Sequence, residues 1–144
     1  MNMIEVRTAD LSGAALDWAT FCAVFSGMQP TIRKIESVTI DRKPFIKPLT
    51  FQSAVYLTYS GAYGVECDWN PSSAWEDVGP LLERFKPHIT YHNAPDKTPM
   101  AVMAEQHPDY QCGDTIPIAA CRAIVAAKLG DTVQVPAELV EVVQ

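Results

Sequence analysis

Apolar residues recur with helical spacing at two places in the chain. Leu11, Ala15, Trp18, Cys22 and Phe25 follow a 4-3-4-3 spacing, the stripe of an amphipathic helix facing a core. Asp10 or Ser12 opens this helix, and Gly27 closes it. Near the other end, Ile118, Cys121, Val125 and Leu129 form one helical row. Ile116, Ala120, Ile124 and Ala127 form a second. Asp114 or Thr115 caps that helix, Pro117 fits its first turn, and Gly130 follows Lys128 at its end. With apolar residues on nearly every side, the helix is predicted to be buried on more than one, its alanines letting neighbours approach closely. Arg122 is the charge in its middle. Either its stem packs and its guanidinium reaches the surface or a carboxylate, or the guanidinium faces an anion or a partner subunit.

Between the helices the pattern shortens to that of strands. Residues 2–8 predict a short strand. Thr31–Asp41 is rich in β-branched residues but alternates only partly. Pro44 and Pro48 make Lys43–Thr50 a loop or an edge. Phe51–Tyr59 and Ala62–Cys67 predict a hairpin turning at Ser60-Gly61. Ser73 with Glu76 fits a capping box. Gly79-Pro80 then breaks that turn, and Leu81–Phe85 restarts as a short helix. His88–His92 and Met100–Glu105 read as strands, Asn93–Pro99 as a turn region, and Gln106–Gly113 as a loop. The tail is extended through Val133, Val135 and Pro136, and the end at Glu138–Gln144 is predicted to dock. The order predicts an α+β fold in a single domain over 1–144: a mostly antiparallel sheet with two main helices and one short, Gly-Pro-interrupted helix packed on it.

Composition narrows the function classes. The chain has 144 residues, no run resembling a membrane span and no signal-like start. Its net charge of −6 argues against wrapping duplex nucleic acid. The charge is uneven. Arg33, Lys34, Arg42, Lys43 and Lys47 face only Glu36 and Asp41, so residues 33–47 carry +3 and the rest −9. That window is either a solvated strand pair or a local site for a phosphate-bearing ligand. Cys22, Cys67, Cys112 and Cys121 have no paired short spacing, and Cys22 and Cys121 read as buried small hydrophobes. His88 and His92 are four apart with no matching pair, so no metal site is expected. His88, His92 or His107 with Cys112 or Asp109 would be the catalytic candidates, but no orienting third group or oxyanion motif accompanies them. No cofactor and no catalytic residue is therefore expected.

Three segments resemble a known family. Pro71-Ser-Ser-Ala-Trp-Glu-Asp-Val-Gly-Pro-Leu-Leu-Glu83 is one. Ala119-Ala-Cys-Arg-Ala-Ile-Val-Ala-Ala-Lys-Leu-Gly-Asp131, with Val135-Pro-Ala-Glu-Leu139, is another. Leu11-Ser-Gly-Ala-Ala-Leu-Asp-Trp-Ala19 is the third. Together they are similar to the NinX-like proteins of lambdoid and P22-type bacteriophages, a family of unknown function. Residues about 28–67 and 94–112 do not match the pattern, and Val78 stands where a glycine is common. The resemblance implies a phage accessory protein acting in the host cytoplasm, and no enzyme activity.

The matched positions Ser72, Ser73, Trp75, Gly79 and Pro80 cluster at a loop and a helix start. Free N–H groups at the Ser73 helix would suit an anion, and Trp75 could stack a base. With Arg122, Arg33 and Lys34 they define the expected ligand site. Capping and a core tryptophan are the alternative for these residues, and Asp17-Trp18 reads as structural because Trp18 falls on the apolar stripe. The expectation is a non-catalytic binder that sequesters a small anionic, nucleotide-derived ligand of host immune signalling. The alternative is an interaction module that inhibits or adapts a host protein through an acidic surface and the tail at 139–143. Apolar helix faces and the valine-rich tail also predict a homo-oligomer.

Overall fold

A computed structural model describes residues 2–42, 44, 46–92, 97–103 and 106–140, with Phe51 described by its backbone. β1 (Met3–Arg7) leads through a 3-10 turn at Thr8–Asp10 into α1 (Gly13–Val24). Five strands follow: β2 (Thr31–Ile35), β3 (Val38–Ile40), β4 (Leu49–Phe51), β5 (Ala54–Ser60) and β6 (Glu66–Asp68). Next come α2 (Trp75–Phe85), β7 (His88–Tyr91), β8 (Pro99–Met103), β9 (His107–Cys112), α3 (Ile116–Leu129) and β10 (Thr132–Pro136). The fold is α+β, and the strand pairs are antiparallel. Instead of one sheet, the described residues form four small ones, ordered β1-β10, β2-β5-β6, β3-β4 and β7-β8-β9.

α3 lies at the centre because its two faces differ in size. Ala119 and Ala123, with Ala127 beside them, pack on Ala101 and Met103 of β8. Their short side chains bring the β7-β8-β9 sheet close. Cys121, Ile124 and Val125 fill the space towards α1, Val78 and Val135. The loop entering α3 approaches equally closely. A Cβ on Gly113 would stand 2.6 Å from the Ala119 nitrogen, so glycine is required there. Thr115 caps the helix by accepting from the Ile118 N–H, and Gly130 follows its last turn at φ 95°.

α1 departs from the expected single stripe. Ala15 through Phe21 are all buried, as are Ala23 and Val24. The helix packs against α3 on one side and β5 on another, so it needs apolar residues all round. Leu11 precedes the helix and is fully buried, whereas Phe25 follows it and is half-exposed.

α2 corrects a second expectation. It is continuous from Trp75 to Phe85 with Pro80 inside it, and its N-cap is Ala74, which makes no side-chain capping bond. Ser73 is therefore not the cap. Pro80 is tolerated because Gly79, lacking a Cβ, removes the clash that normally drives the residue before proline out of the helix.

The expected loop at Gln106–Gly113 contains β9, an edge strand whose mostly exposed residues lack a hydrophobic alternation. Part of the expected strand at Ala62–Cys67 is instead a 3-10 turn at Ala62–Gly64. The two ends of the fold are joined: β1 pairs with β10, and the Thr8 hydroxyl donates to the Gly130 carbonyl at 2.6 Å. Leu139 is buried against the body. The expected docking of residues 141–144 lies outside the described residues.

Candidate functional site

Where β6 ends, the chain is wrapped onto the N-terminal half of α1. Trp69 is buried, its ring edge-on to Phe21, Phe25 and Tyr59. Its indole N–H donates to the Asp17 carbonyl at 2.8 Å. Three residues on, the Ser72 N–H donates to the Asp17 carboxylate at 2.8 Å, joining positions 55 apart. The Asn70 N–H donates to the Asp77 carboxylate in the first turn of α2. The Asn70 carbonyl in turn accepts from the Ser73 and Ala74 N–H groups. These bonds fix the Trp69–Ala74 segment against two helices at once.

A pocket of about 610 Å³ opens between this segment, the start of α1 and β5. Gly13, Ala14 and Asp17 form one wall, Ala54 to Leu57 another, and Asp68, Asn70, Ser72 and Ser73 a third, with Ile35 at the edge. Asp17 is buried, and that burial pushes its carboxyl from 3.8 up to about 6, against the lowering effect of the Ser72 hydrogen bonds. Asp68 is exposed on the third wall. No lysine, arginine or histidine is among the lining residues described. The described lining therefore offers no cation to an anionic group; it is mostly apolar, with Tyr56 and Trp69 as aromatic residues, and its two carboxylates, Asp17 and Asp68, suit a ligand edge that carries N–H donors.

The expected site residues divide around this pocket. Ser72 and Ser73 line it. Trp75 is the first residue of α2, 57% exposed, and outside the lining. Gly79 and Pro80 lie mid-helix in α2. The helix start expected to attract an anion already carries Glu76 and Asp77 in its first turn, which offset its dipole and disfavour a further negative charge.

The basic residues are placed on separate faces with partners of their own. Arg122 donates from Nε and Nη2 to the Leu11 carbonyl at 2.9 and 2.8 Å, and from Nη1 to the Cys112 carbonyl at 2.7 Å. It joins the approach to α1 to the end of β9, and neither of the two roles expected of it includes these backbone acceptors. Arg33 donates to Glu66 at 2.7 Å, and Lys34 pairs with Glu138.

Tyr56, Asp68 and Asn70 are not among the residues expected at the site, and Asp17 is expected, with Trp18, to be structural. One signal existed: Asp17 is the single charged residue in the otherwise apolar Gly13–Val24 run. Elsewhere, His107 contacts Asp131 at 2.7 Å, while Cys112 lies at the opposite end of β9. Burial pushes the Cys121 thiol up to about 12 and that of Cys22 to about 11, so both remain protonated at neutral pH. Among the described residues, no cluster of three His, Cys, Asp or Glu is placed to hold a metal. No described helix is long and apolar enough to cross a membrane.

Comparison with curated proteins gives no match. The model of the bacteriophage P22 NinX family matches residues 7–128, a span that includes α1, the pocket wall at 68–73, α2 and nearly all of α3. The chain therefore belongs to the bacteriophage P22 NinX family.

Proposed function

We propose that this phage protein is a non-catalytic binder that takes a small nucleotide-derived molecule into the pocket between α1 and β5. By holding it, the protein withdraws the molecule from host signalling in the infected cytoplasm. The observation that carries this reading is Asp17, a buried carboxylate in the wall of a pocket of about 610 Å³. An ionised group at that depth costs stability, and such groups concentrate where a site uses them. The volume suits a small molecule. The lining favours a particular orientation. A nucleobase edge with amino and imino donors meets Asp17, Asp68 and Asn70, and the ring packs on Tyr56. The anionic part remains at the solvent-exposed mouth. This differs from the expectation of an anion at the Ser73 helix start with the base on Trp75.

The test is a thermal-shift panel of nucleobases, nucleosides, cyclic oligonucleotides and ADP-ribose derivatives, followed by heat release of any hit. At a hundredfold excess over Kd, a binder adds about 2.7 kcal/mol, which for a domain this size raises Tm by roughly 8 °C. The molecule is expected back intact. Return of a cleaved product would make the protein an enzyme, and silence across the panel would contradict ligand binding.

The exposure of Trp75 favours a second reading, docking on a host protein, because exposed tryptophans are frequent interface anchors. Pull-down of one host protein from infected cells, lost in Trp75→Ala with the nucleotide panel silent, would support it.

A further inference from the structure

β2 with β3, and β4 with β5, form one long hairpin. Ile35 pairs with Ala54 and Val38 with Phe51. Pairing therefore lapses at 36–37 and 52–53 and resumes with the same register. Near the body, the Ile32 and Leu57 face packs into the core. By strand alternation the same face runs outward past Lys34, Val55 and Glu36 to the apolar Val38, Ile40 and Leu49. There it is uncovered: these residues are 49%, 46% and 39% exposed. The opposite face carries Thr39 and Thr50, whose hydroxyls lie 3.1 Å apart. A two-stranded ribbon with one bare apolar face is marginal in water by itself.

We propose that this arm is a self-association element whose occupant is a second copy of the same chain. Two arms stack apolar face to apolar face across a two-fold axis, running in opposite directions. Charge selects this arrangement. Arg33 and Lys34 are paired at the base of the arm, and residues 41–47 beyond them carry +2 against −8 on the remainder. An antiparallel stack keeps the two basic tips apart and sets each tip, with Lys47, beside Glu36 and Glu138 at the base of the other arm. Glu138 already holds Lys34 at the base of the arm. The ligand pocket is not needed for this contact, so the inference stands apart from the functional reading above.

The experiment is sedimentation equilibrium of the full chain across micromolar concentrations, at low and high salt. It compares wild type, Val38→Thr/Ile40→Thr/Leu49→Thr and Lys47→Glu. A dimer is expected for wild type and a monomer for the triple variant. Lys47→Glu should weaken association about tenfold, with most of that difference lost at high salt. Fluorescence of the buried Trp18 and Trp69 checks that each variant is folded, and β-branched threonine preserves strand preference. A folded triple variant that still dimerises as tightly as wild type would overturn the proposal. So would a wild type that stays monomeric, including one that instead binds short duplex DNA in a salt-dependent way, which would reassign the arm to nucleic acid.

Discussion

At Asp17, burial and function pull in opposite directions. The folded state raises its carboxyl from 3.8 to about 6, so it holds the proton more tightly than the unfolded chain does. Its contribution to stability is thus complete below pH 3.8 and is lost as pH rises through about 6. The shift corresponds to about 3 kcal/mol. Asp17→Asn keeps an oxygen for the Ser72 N–H but cannot ionise. In urea unfolding, the variant should gain on wild type by about 3 kcal/mol between roughly pH 4 and pH 7.5. A difference that stays flat with pH would show that the carboxylate is not desolvated. Arg122 makes the opposite case. Because its donors all meet backbone carbonyls, Arg122→Met should destabilise by about 2 to 3 kcal/mol. It should leave the affinity of the folded protein for its ligand unchanged. Lost binding with intact stability would return the guanidinium to the site. Sequence displayed both residues as lone charges in apolar helices. It did not display their partners, because Leu11 and Ser72 are supplied by segments distant in the chain.

At the scale of elements, the terminal helices were legible because end signals and periodicity agree over a long run. Thr115, Pro117 and Gly130 occupy the positions expected of a cap, a first turn and a stop. α1 was found but its burial was underestimated, since the stripe from Leu11 to Phe25 masked the alanines and Thr20 that are also enclosed. In α2, local rules placed a break where tertiary packing of Val78 and Leu81 holds the helix together. The Gly79-Pro80 pair gives a test with a defined sign. An added Cβ at Gly79 meets no neighbouring atom, so alanine there would ordinarily gain about 1 kcal/mol. Next to Pro80 the same Cβ clashes with the proline ring. Gly79→Ala should therefore destabilise wild type and stabilise the Pro80→Ala background, as a double-mutant cycle by chemical denaturation would read. Equal effects in both backgrounds would mean that Gly79 does not accommodate the proline.

On the scale of the whole molecule, the uneven charge was visible in the sequence, but its meaning depended on the fold. Of the basic window at 33–47, Arg33 and Lys34 lie on β2 at the base of the long hairpin, where they are paired. The family was legible from three segments, and two of them supply facing walls of the pocket through Asp17 and Ser72. The pocket itself was not legible, because no periodicity encodes a cavity closed by residues 55 apart. Its lining holds no described lysine, arginine or histidine, so the base, expected on Trp75 beside an anion at the Ser73 helix start, is proposed to sit in the pocket instead. The decisive measurement is a calorimetric titration of the best panel ligand into wild type and into Ala54→Trp. Ala54 is exposed and lines the pocket, so tryptophan there fills the cavity without entering the core. One ligand per chain for wild type, with binding abolished in a variant of unchanged Tm, is the predicted result. Equal affinity in both proteins would place the ligand elsewhere and contradict the account.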